Sequence, residues 1–441
     1  MPATDADAIE PSGGRRFTGL LSASVVSGIG DGLVLVALPL LAATITRDPR
    51  LIAGVAVAQR LPWVVLSLHG GALVDRLSLR HLLPSIEFVR GAALLILGAM
   101  TLSGDMNLQA IYLVAFVIGS GDTIVASGLH AAIPQMVPAS ALSRANGRIQ
   151  MSQVSGGEFV GPAIGGALFG LAAALPFFVD GVSYLVSGLL LALVLPSRGA
   201  SDATPTNSLG REVLDGLRWF FSNEVLRLLA LLIGAFAFFQ AAVLALLVLL
   251  ATGPLGLGEG QFGVFLAMGA VGNIVGAGLA ERLPGNRVSA IVLSAGGVTA
   301  ASYMVMGLTT IAPLAGAAFL VEGVAIAAAN VVTVSLRQQL IPIPMLGRVG
   351  AAFRLCIYGT MPLGALLGGL LAARVGVAMA ITTAGVGQLL VVVAIAAPAT
   401  RLLRDTGDIA EDDRTASWST PFPEQMRDHK PHSGDAADGI S

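Results

Sequence analysis

The 441-residue chain is 55% hydrophobic and only 12% charged, with a formal net charge of −2 at pH 7. Because soluble domains carry about 25% charged residues, this composition excludes an ordinary soluble protein and indicates a chain that faces lipid. The net charge provides no basic field for nucleic acid, and the single cysteine, Cys356, excludes an internal disulfide or a multi-cysteine metal site.

Twelve apolar stretches follow one another along the chain, each long enough to cross a bilayer as a helix of about 20 residues. The first stretch is too long for a signal-peptide core, so we expect it to be retained as a membrane span. The stretches begin near Phe17, Leu51, His81, Ala110, Ile149, Leu175, Val225, Gly260, Arg287, Ile311, Gly350 and Val377.

A polar stretch between spans six and seven divides the spans into two sets of six, and a second polar stretch follows the last span. The sequence therefore predicts an all-α membrane protein with twelve transmembrane helices in two six-helix halves. We expect an N-terminal tail at 1–16, the first half at 17–196, a cytosolic linker at 197–224, the second half at 225–398, and a disordered cytosolic tail at 399–441.

The placement of arginine predicts the orientation in the membrane. Most arginines fall on one side of the twelve-span arrangement, whereas the other side has Arg47, Arg50 and Arg374. Since arginine is enriched in cytosolic loops, both termini are expected to be cytosolic, in a multi-pass protein of the cell membrane.

Two segments of the first half recur in the second. Residues 71–77 (GALVDRL) are similar to residues 277–283 (AGLAERL), and residues 137–148 are similar to residues 341–350, at nearly equal offsets. The chain therefore reads as two copies of a six-helix unit. That pattern is typical of secondary transporters, whose substrate site lies between the repeats.

Two motifs carry a resemblance to a known family. The chain resembles the major facilitator superfamily, whose loop between spans two and three has the pattern G-x-L-a-D-R-x-G-R-[RK]. In span five, GGEFVGPAIGG is similar to the pattern of drug:proton antiporters, and other segments resemble permeases of the enterobactin-exporter and macrolide-efflux type. The loop pattern falls on Gly71, Leu73, Asp75, Arg76 and Arg80, and the span-five pattern on Gly157, Gly161, Pro162, Gly165 and Gly166.

The resemblance implies roles for these residues. The loop motif would latch the two halves in the outward-facing state, with Asp75 as a helix cap and Arg76 and Arg80 as its partners. The alternative is that these charges only set topology. The span-five motif would form a hinge and a leak-sealing interface, and generic close packing of small residues is its alternative.

Charged residues predicted near the middle of the membrane are the candidates for function, because each costs several kcal/mol there. Asp31 and Arg60 lie on consecutive helices at similar depth and would either pair or act in transport. Glu87 and Arg90 are three residues apart and would satisfy each other. The candidates for proton coupling or substrate binding are Asp31, Arg60, Asp122, Glu158 and Glu322.

Two of these candidates stand out. Asp122 and Glu322 have no obvious basic partner on their own helices, so each is expected to carry a proton or contact substrate; the alternative is an ion pair that only holds helices together. Many antiporters of the superfamily have an arginine in span four, where this chain has Asp122. Asp180, near the outer end of span six, is expected to be structural.

These observations predict a secondary transporter that exports a small amphipathic molecule, drug-like or siderophore-like, by proton antiport with alternating access. The alternatives are an uptake symporter or uniporter on the same fold, or a membrane receptor that does not transport. The sequence shows no catalytic or metal-ligand pattern, so we expect no enzyme activity, cofactor or metal. The expected partners are the lipid bilayer, a small-molecule substrate and protons, without nucleic acid, and the protein is expected to be a monomer.

Overall fold

A computed structural model of the chain shows helices and the short connections between them throughout the part that it describes. Proline and glycine mark several of the helix ends, as the turn residues of the sequence predict. The residues described are 11–138, 141–195, 218, 222–280, 282–283, 287–341 and 346–412.

The first half contains six long helical elements. The fifth, α5, is composite: Leu142–Gln153 continues through a π-helical turn, Val154–Val160, into Gly161–Leu171. The other five are α1 (Pro11–Ile45), α2 (Pro49–Arg76), α3 (Leu79–Ser103), α4 (Leu108–Ala132) and α6 (Leu175–Val194).

The second half also contains six elements. The first of them, α7, consists of Glu224–Leu244 and Leu247–Thr252. The others are α8 (Glu259–Ala280), α9 (Val288–Leu308), α10 (Ala312–Leu340), α11 (Leu346–Val375) and α12 (Val377–Asp412).

Helix packing follows the same plan in both halves. In the first half α1 packs on α5 and α6, α2 packs on α4, and α3 packs on α4 and α6. In the second half α7 packs on α11 and α12, α8 packs on α10, and α9 packs on α10 and α12. Each pair of the second half is therefore a pair of the first half shifted by six helices, which confirms the predicted repeat.

Most of the helical elements are apolar enough to cross a membrane. Within the described residues, nine helical segments are long and apolar enough to cross a membrane, and they belong to every element except α2, α5 and α11. The main contacts between the halves join α2 to α11 and α5 to α8. The predicted fold class, an all-α membrane bundle, is confirmed.

One end of the bundle, named the outer end here, consists of short connections. At this end Gly104 terminates α3 with φ of 80°, Asn107 caps α4 by accepting a hydrogen bond from the Ala110 amide at 2.9 Å, and Gly376 turns the chain with φ of 87°. Glycine is favoured at the two turns because a side chain is strained at positive φ. The outer-end connections are 46–48, 104–107, 172–174, 253–258, 309–311 and 376.

The two halves meet at the outer end. A Cβ atom built on Gly263 of α8 would lie 2.8 Å from the Cα of Gly166 of α5, so these backbones touch. Likewise, a Cβ atom on Gly369 of α11 would lie 2.6 Å from the Cβ of Ala53 of α2. The side chain of Arg47 also donates a hydrogen bond to Thr252 Oγ1 at 2.9 Å across the halves. The outer end is therefore closed in this conformation.

The chain ends differ from the sequence expectation where the structure describes them. The first helix begins at Pro11 within the predicted tail, and α12 continues past Pro398 to Asp412 where disorder was predicted from 399. Most of the predicted linker at 197–224 and all of 413–441 lie outside the described residues.

Candidate functional site

Two groups of polar side chains lie within the helical bundle, one in each half. The first, named the Arg90 cluster, draws on α1, α3, α4 and α6, and the second, named the Glu322 cluster, draws on α7, α9 and α10. The Arg90 cluster consists of Asp31, Glu87, Arg90, Asp122 and Tyr184, and the Glu322 cluster of Gln240, Tyr303 and Glu322.

Arg90 is the centre of the first cluster. Its guanidinium donates hydrogen bonds to Asp31 at 2.8 Å and to Glu87 at 3.2 Å, and it also donates to Asp122 and to the Tyr184 hydroxyl. The Tyr184 hydroxyl in turn donates to Asp31, and the Arg90 guanidinium carbon lies 3.9 Å from the centre of the Tyr184 ring. One arginine therefore joins four helices, and the predicted Glu87–Arg90 pair is present within a larger network.

Charge in the Arg90 cluster is unbalanced. Three carboxyl groups contact one guanidinium, and a side-chain oxygen of Glu87, Oε2, has no hydrogen-bond partner. Charge-assisted bonds compensate desolvation only where the charges are matched and the remaining lone pairs are satisfied. The group in direct contact with Arg90 therefore contains more acidic than basic members.

Exposure divides the cluster into an open edge and a closed end. The side chains of Asp31 and Asp122 keep 39% and 29% of their surface exposed, whereas Arg90 and Glu87 keep 2% and 1%. Asp31 and Asp122 therefore form an open edge between α1 and α4. Solvent therefore reaches Asp31 and Asp122, whereas Arg90 and Glu87 are shielded from it.

The predicted pair of Asp31 with Arg60 does not form among the described side chains. Asp31 binds Arg90 instead, and Arg60 is half-buried and acts electrostatically on Asp122. The physical reason is helix packing: α1 and α2 follow each other in sequence, but α1 packs mainly on α5 and α6 while α2 packs mainly on α4 and α11. Arg60 nevertheless stays next to the open edge of the Arg90 cluster.

The Glu322 cluster has one carboxyl group and no cation among its members. Glu322 is 3% exposed on α10, and the Tyr303 hydroxyl of α9 donates to its Oε1 at 2.9 Å. The Gln240 side chain of α7 lies near the Glu322 carboxyl and interacts with it electrostatically. Among the described side chains no ion pair includes Glu322. Burial without a cation favours the neutral, protonated acid.

The span-five motif places α5 against two other helices. A Cβ atom on Gly161 would lie 2.6 Å from the Cα of Gly32 of α1, and Gly166 touches Gly263 of α8. Pro162 begins the last helical segment of α5, directly after the π-helical turn. Small residues of α5 therefore pack closely on α1 and α8, and Gly157 and Gly165 lie on the same element. The side chain of Glu158 lies outside the described residues.

The loop motif is mostly helical. Gly71, Asp75 and Arg76 belong to the last turns of α2, and only residues 77–78 separate α2 from α3. The side chains of Gly71 through Arg76 lie outside the described residues, so the latch stays a prediction. Arg80 is exposed in the first turn of α3.

Sequence comparison agrees with this architecture. The profile of the transmembrane secretion effector family, a branch of the major facilitator superfamily, matches residues 7–434. The chain belongs to this family. The superfamily resemblance read from the two motifs is thereby confirmed.

Relatives and solved structures extend the comparison. The chain is 26% identical over 221 residues to the multidrug efflux pump Tap of Mycolicibacterium fortuitum, covering 48% of this chain and 54% of Tap, so the match spans about half of that relative. A bacterial homologue of the lysosomal transporter Spinster, inward-facing and unoccupied, superimposes with a TM-score of 0.69 at 14% identity over 90% of this chain and 98% of its own.

A second solved structure shares the fold with a similar TM-score and a similarly low sequence identity. A bacterial homologue of the iron transporter ferroportin, inward-facing, gives a TM-score of 0.65 at 19% identity over 87% of this chain and 98% of its own. At these identities the two structures show a shared transporter fold. They do not indicate a shared substrate.

Sequence reasoning missed two members of the clusters and the role of a third. Tyr184 and Tyr303 were not singled out, because a lone tyrosine in an apolar helix resembles core packing. Arg90 was interpreted as the partner of Glu87 alone. One signal was available for Tyr184, since it follows Asp180 by four residues and therefore shares its helix face.

Proposed function

We propose that this protein is a secondary transporter that exports a small amphipathic molecule, drug-like or siderophore-like, in exchange for protons. Transport would proceed by alternating access, with the substrate site between the two halves. The protein would act in the cell membrane with both termini in the cytosol and as a monomer. Direction, proton coupling and substrate class are the parts of the proposal that experiments must test.

The charge imbalance of the Arg90 cluster carries the proposal. Asp31 and Asp122 both bind the same nitrogen of Arg90, and both lie at the open edge where solvent reaches them. A proton on either carboxyl group removes one ion pair and lowers the excess negative charge. Because Asp31 lies on α1 and Asp122 on α4, protonation changes how these helices are held to Arg90.

The Glu322 cluster provides a second candidate for coupling. A protonated Glu322 keeps the hydrogen bond from Tyr303 and has no ion pair to break when it gives up its proton. Movement of one proton through the membrane potential contributes about 2.3 kcal/mol per 100 mV, in addition to any pH gradient. Protons bound in the two halves would then titrate together rather than independently.

The contacts at the outer end support alternating access. In this conformation the halves touch through Gly166 and Gly263, through Ala53 and Gly369, and through Arg47 and Thr252. These contacts must part for the outer end to open. Close glycine contacts between helices allow such motion because few interlocked side chains resist it.

The family and one relative support the direction of transport. The family is described as transmembrane secretion effectors, and the partial relative Tap is named a multidrug efflux pump. Both descriptions favour export over uptake. Since the Tap match covers about half of that protein, the substrate range of Tap is only a guide to the compounds worth testing.

The decisive experiment is transport with an imposed pH gradient in inverted and right-side-out vesicles, against a panel of dyes, macrolides and siderophores. We expect the wild-type protein to accumulate at least one compound in inverted vesicles and to move protons in the opposite direction. Accumulation without proton movement would contradict antiport, and accumulation only in the right-side-out orientation would indicate uptake.

Variants of the two clusters test which carboxyl group couples proton movement to substrate transport. Glu322→Gln mimics the protonated acid, so it should abolish gradient-driven accumulation while substrate binding and energy-independent exchange persist. Asp122→Asn should behave in the same way if coupling is shared between the halves. Asp105→Asn, in an exposed outer connection, is the matched control and should transport as the wild type does. A Glu322→Gln protein that still builds a substrate gradient would remove Glu322 as the essential carrier.

A further inference from the structure

One buried carboxyl group lies outside both clusters. Asp180 of α6 is 0% exposed, and its Oδ1 accepts a hydrogen bond from the Ser183 hydroxyl at 2.7 Å. Its other oxygen, Oδ2, is buried and has no hydrogen-bond partner. Among the described side chains no cation lies within ion-pair distance of Asp180. This carboxyl group is therefore more isolated from compensating charge than any member of the Arg90 cluster.

The surroundings of Asp180 are tightly packed. A Cβ atom on Gly30 of α1 would lie 2.7 Å from the Asp180 Cγ, so the carboxyl group rests directly on the α1 backbone beside Asp31. Tyr184, one turn further along α6, links Asp31 to Arg90. The charged and titratable groups that face Asp180 are Asp31 on α1, Glu87 and Arg90 on α3, and Tyr184 on its own helix.

The surroundings of Asp180 provide no counter-ion for an ionised carboxyl group. Arg90 is the one cation in the group, and its hydrogen bonds already go to Asp31, Glu87, Asp122 and Tyr184. An ionised Asp180 would be buried beside two further carboxyl groups without a counter-ion, and such a group neutralises instead. We propose that Asp180 is a separate proton-binding site, whose carboxyl group holds a proton while α1 and α6 are packed as seen here.

The proton on Asp180 is coupled to helix packing. Water reaches the carboxyl group only if α1 moves away from α6, because Gly30 covers it. Release of the proton therefore requires the same helices to part that the Asp31–Tyr184 hydrogen bond holds together. The use of this proton in transport rests on the proposed function, whereas its presence on Asp180 does not.

Isoelectric focusing of the purified protein in detergent tests the presence of the proton without any transport assay. Asp105→Asn removes an exposed carboxyl group, so it should raise the isoelectric point by the equivalent of one negative charge. Asp180→Asn replaces a neutral acid by a neutral amide of the same shape and should focus with the wild type. If Asp180→Asn shifts as far as Asp105→Asn, Asp180 is ionised and the proposal is wrong.

Infrared spectroscopy provides a second test that does not need the Asp180 variant to fold. A protonated carboxyl group has a C=O stretch that is distinct from the bands of a carboxylate. Ser183→Ala removes the hydrogen bond to Asp180, so one protonated-carboxyl band should move to higher frequency at neutral pH. Spectra of Ser183→Ala and wild type that agree in this region would overturn the proposal, even if transport remains proton-coupled.

Discussion

The two halves of this transporter share a helix-packing plan but differ in whether their buried carboxyl groups contact a cation. In the first half, Arg90 binds three carboxyl groups and a tyrosine, which come from its own helix α3 and from α1, α4 and α6. In the second half, Glu322 has a tyrosine and a glutamine but no cation. The repeat therefore determines where the helices lie, while the polar residues of each half determine whether a buried acid meets a cation.

The difference has a mechanical consequence. Protonation in the Arg90 cluster breaks an ion pair between helices, so it changes the forces among α1, α3 and α4. Under the proposed function, protonation of Glu322 breaks no ion pair and keeps the hydrogen bond from Tyr303, so it leaves α9 and α10 in place. The first half would therefore convert protonation into movement, and the second half would bind a proton on a static scaffold.

Among the variants that test this difference between the halves, removal of the Arg90 cation should lower stability most. Arg90→Gln removes the cation that Asp31, Glu87 and Asp122 share, and loss of one partner of a buried ion pair costs about 3–5 kcal/mol. We expect low yield and a strongly reduced melting temperature in detergent. Arg50→Gln, which breaks the exposed pair with Asp48, is the control and should melt as the wild type does. Equal stability of the two variants would mean that the Arg90 cluster does not hold the helices together.

The two tyrosines should differ in their contribution to stability. Tyr184→Phe removes hydrogen bonds to charged partners, which are worth about 1.5–3 kcal/mol, whereas Tyr303→Phe removes a bond to a neutral acid, worth about 0.5–1.5 kcal/mol. Chemical or thermal unfolding of both variants in the same detergent measures the difference. A larger loss for Tyr303→Phe would indicate that Glu322 is ionised, and the contrast between the halves would fail.

A double-mutant cycle should show whether Asp31 is energetically coupled to Arg90 or to Arg60. Asp31→Asn combined with Arg90→Gln should give a coupling energy of roughly 0.5–3 kcal/mol, because these groups are in contact. Asp31→Asn combined with Arg60→Gln should be additive to within about 0.5 kcal/mol. The reverse result would restore the pair that the sequence predicts and would place Arg90 with Asp122 and Glu87 alone.

The smallest expected effect on stability lies at the outer end. Arg47→Ala removes an exposed hydrogen bond between the halves, so the free energy of unfolding should change by less than about 0.5 kcal/mol. The outer end should nevertheless open more often, since one of its cross-half contacts is lost. Spin labels on residues 48 and 253 would report longer distances in Arg47→Ala than in the wild type. An unchanged distance distribution would show that the glycine contacts alone keep the outer end closed.

Much of the architecture follows from local sequence. The apolar stretches begin within a few residues of the helices that the structure contains, as with Leu175 for α6 and Val377 for α12. Small residues in the span-five motif predicted close helix contacts, and Gly166 against Gly263 fulfils that prediction. These features are readable because helix length and close approach depend on residues near one another in the chain.

The partners of the buried charged residues could not be predicted from nearby residues in the sequence. Asp31 and Arg60 looked like a pair because their helices are consecutive, but the structure joins Asp31 to Arg90, 59 residues away, and to Tyr184, 153 residues away. The sequence by itself determined the class of protein, the twelve helices and the candidate acids. Tertiary structure decided which acid meets a cation, because that depends on which helices of the bundle face each other, and helix order along the chain does not specify it.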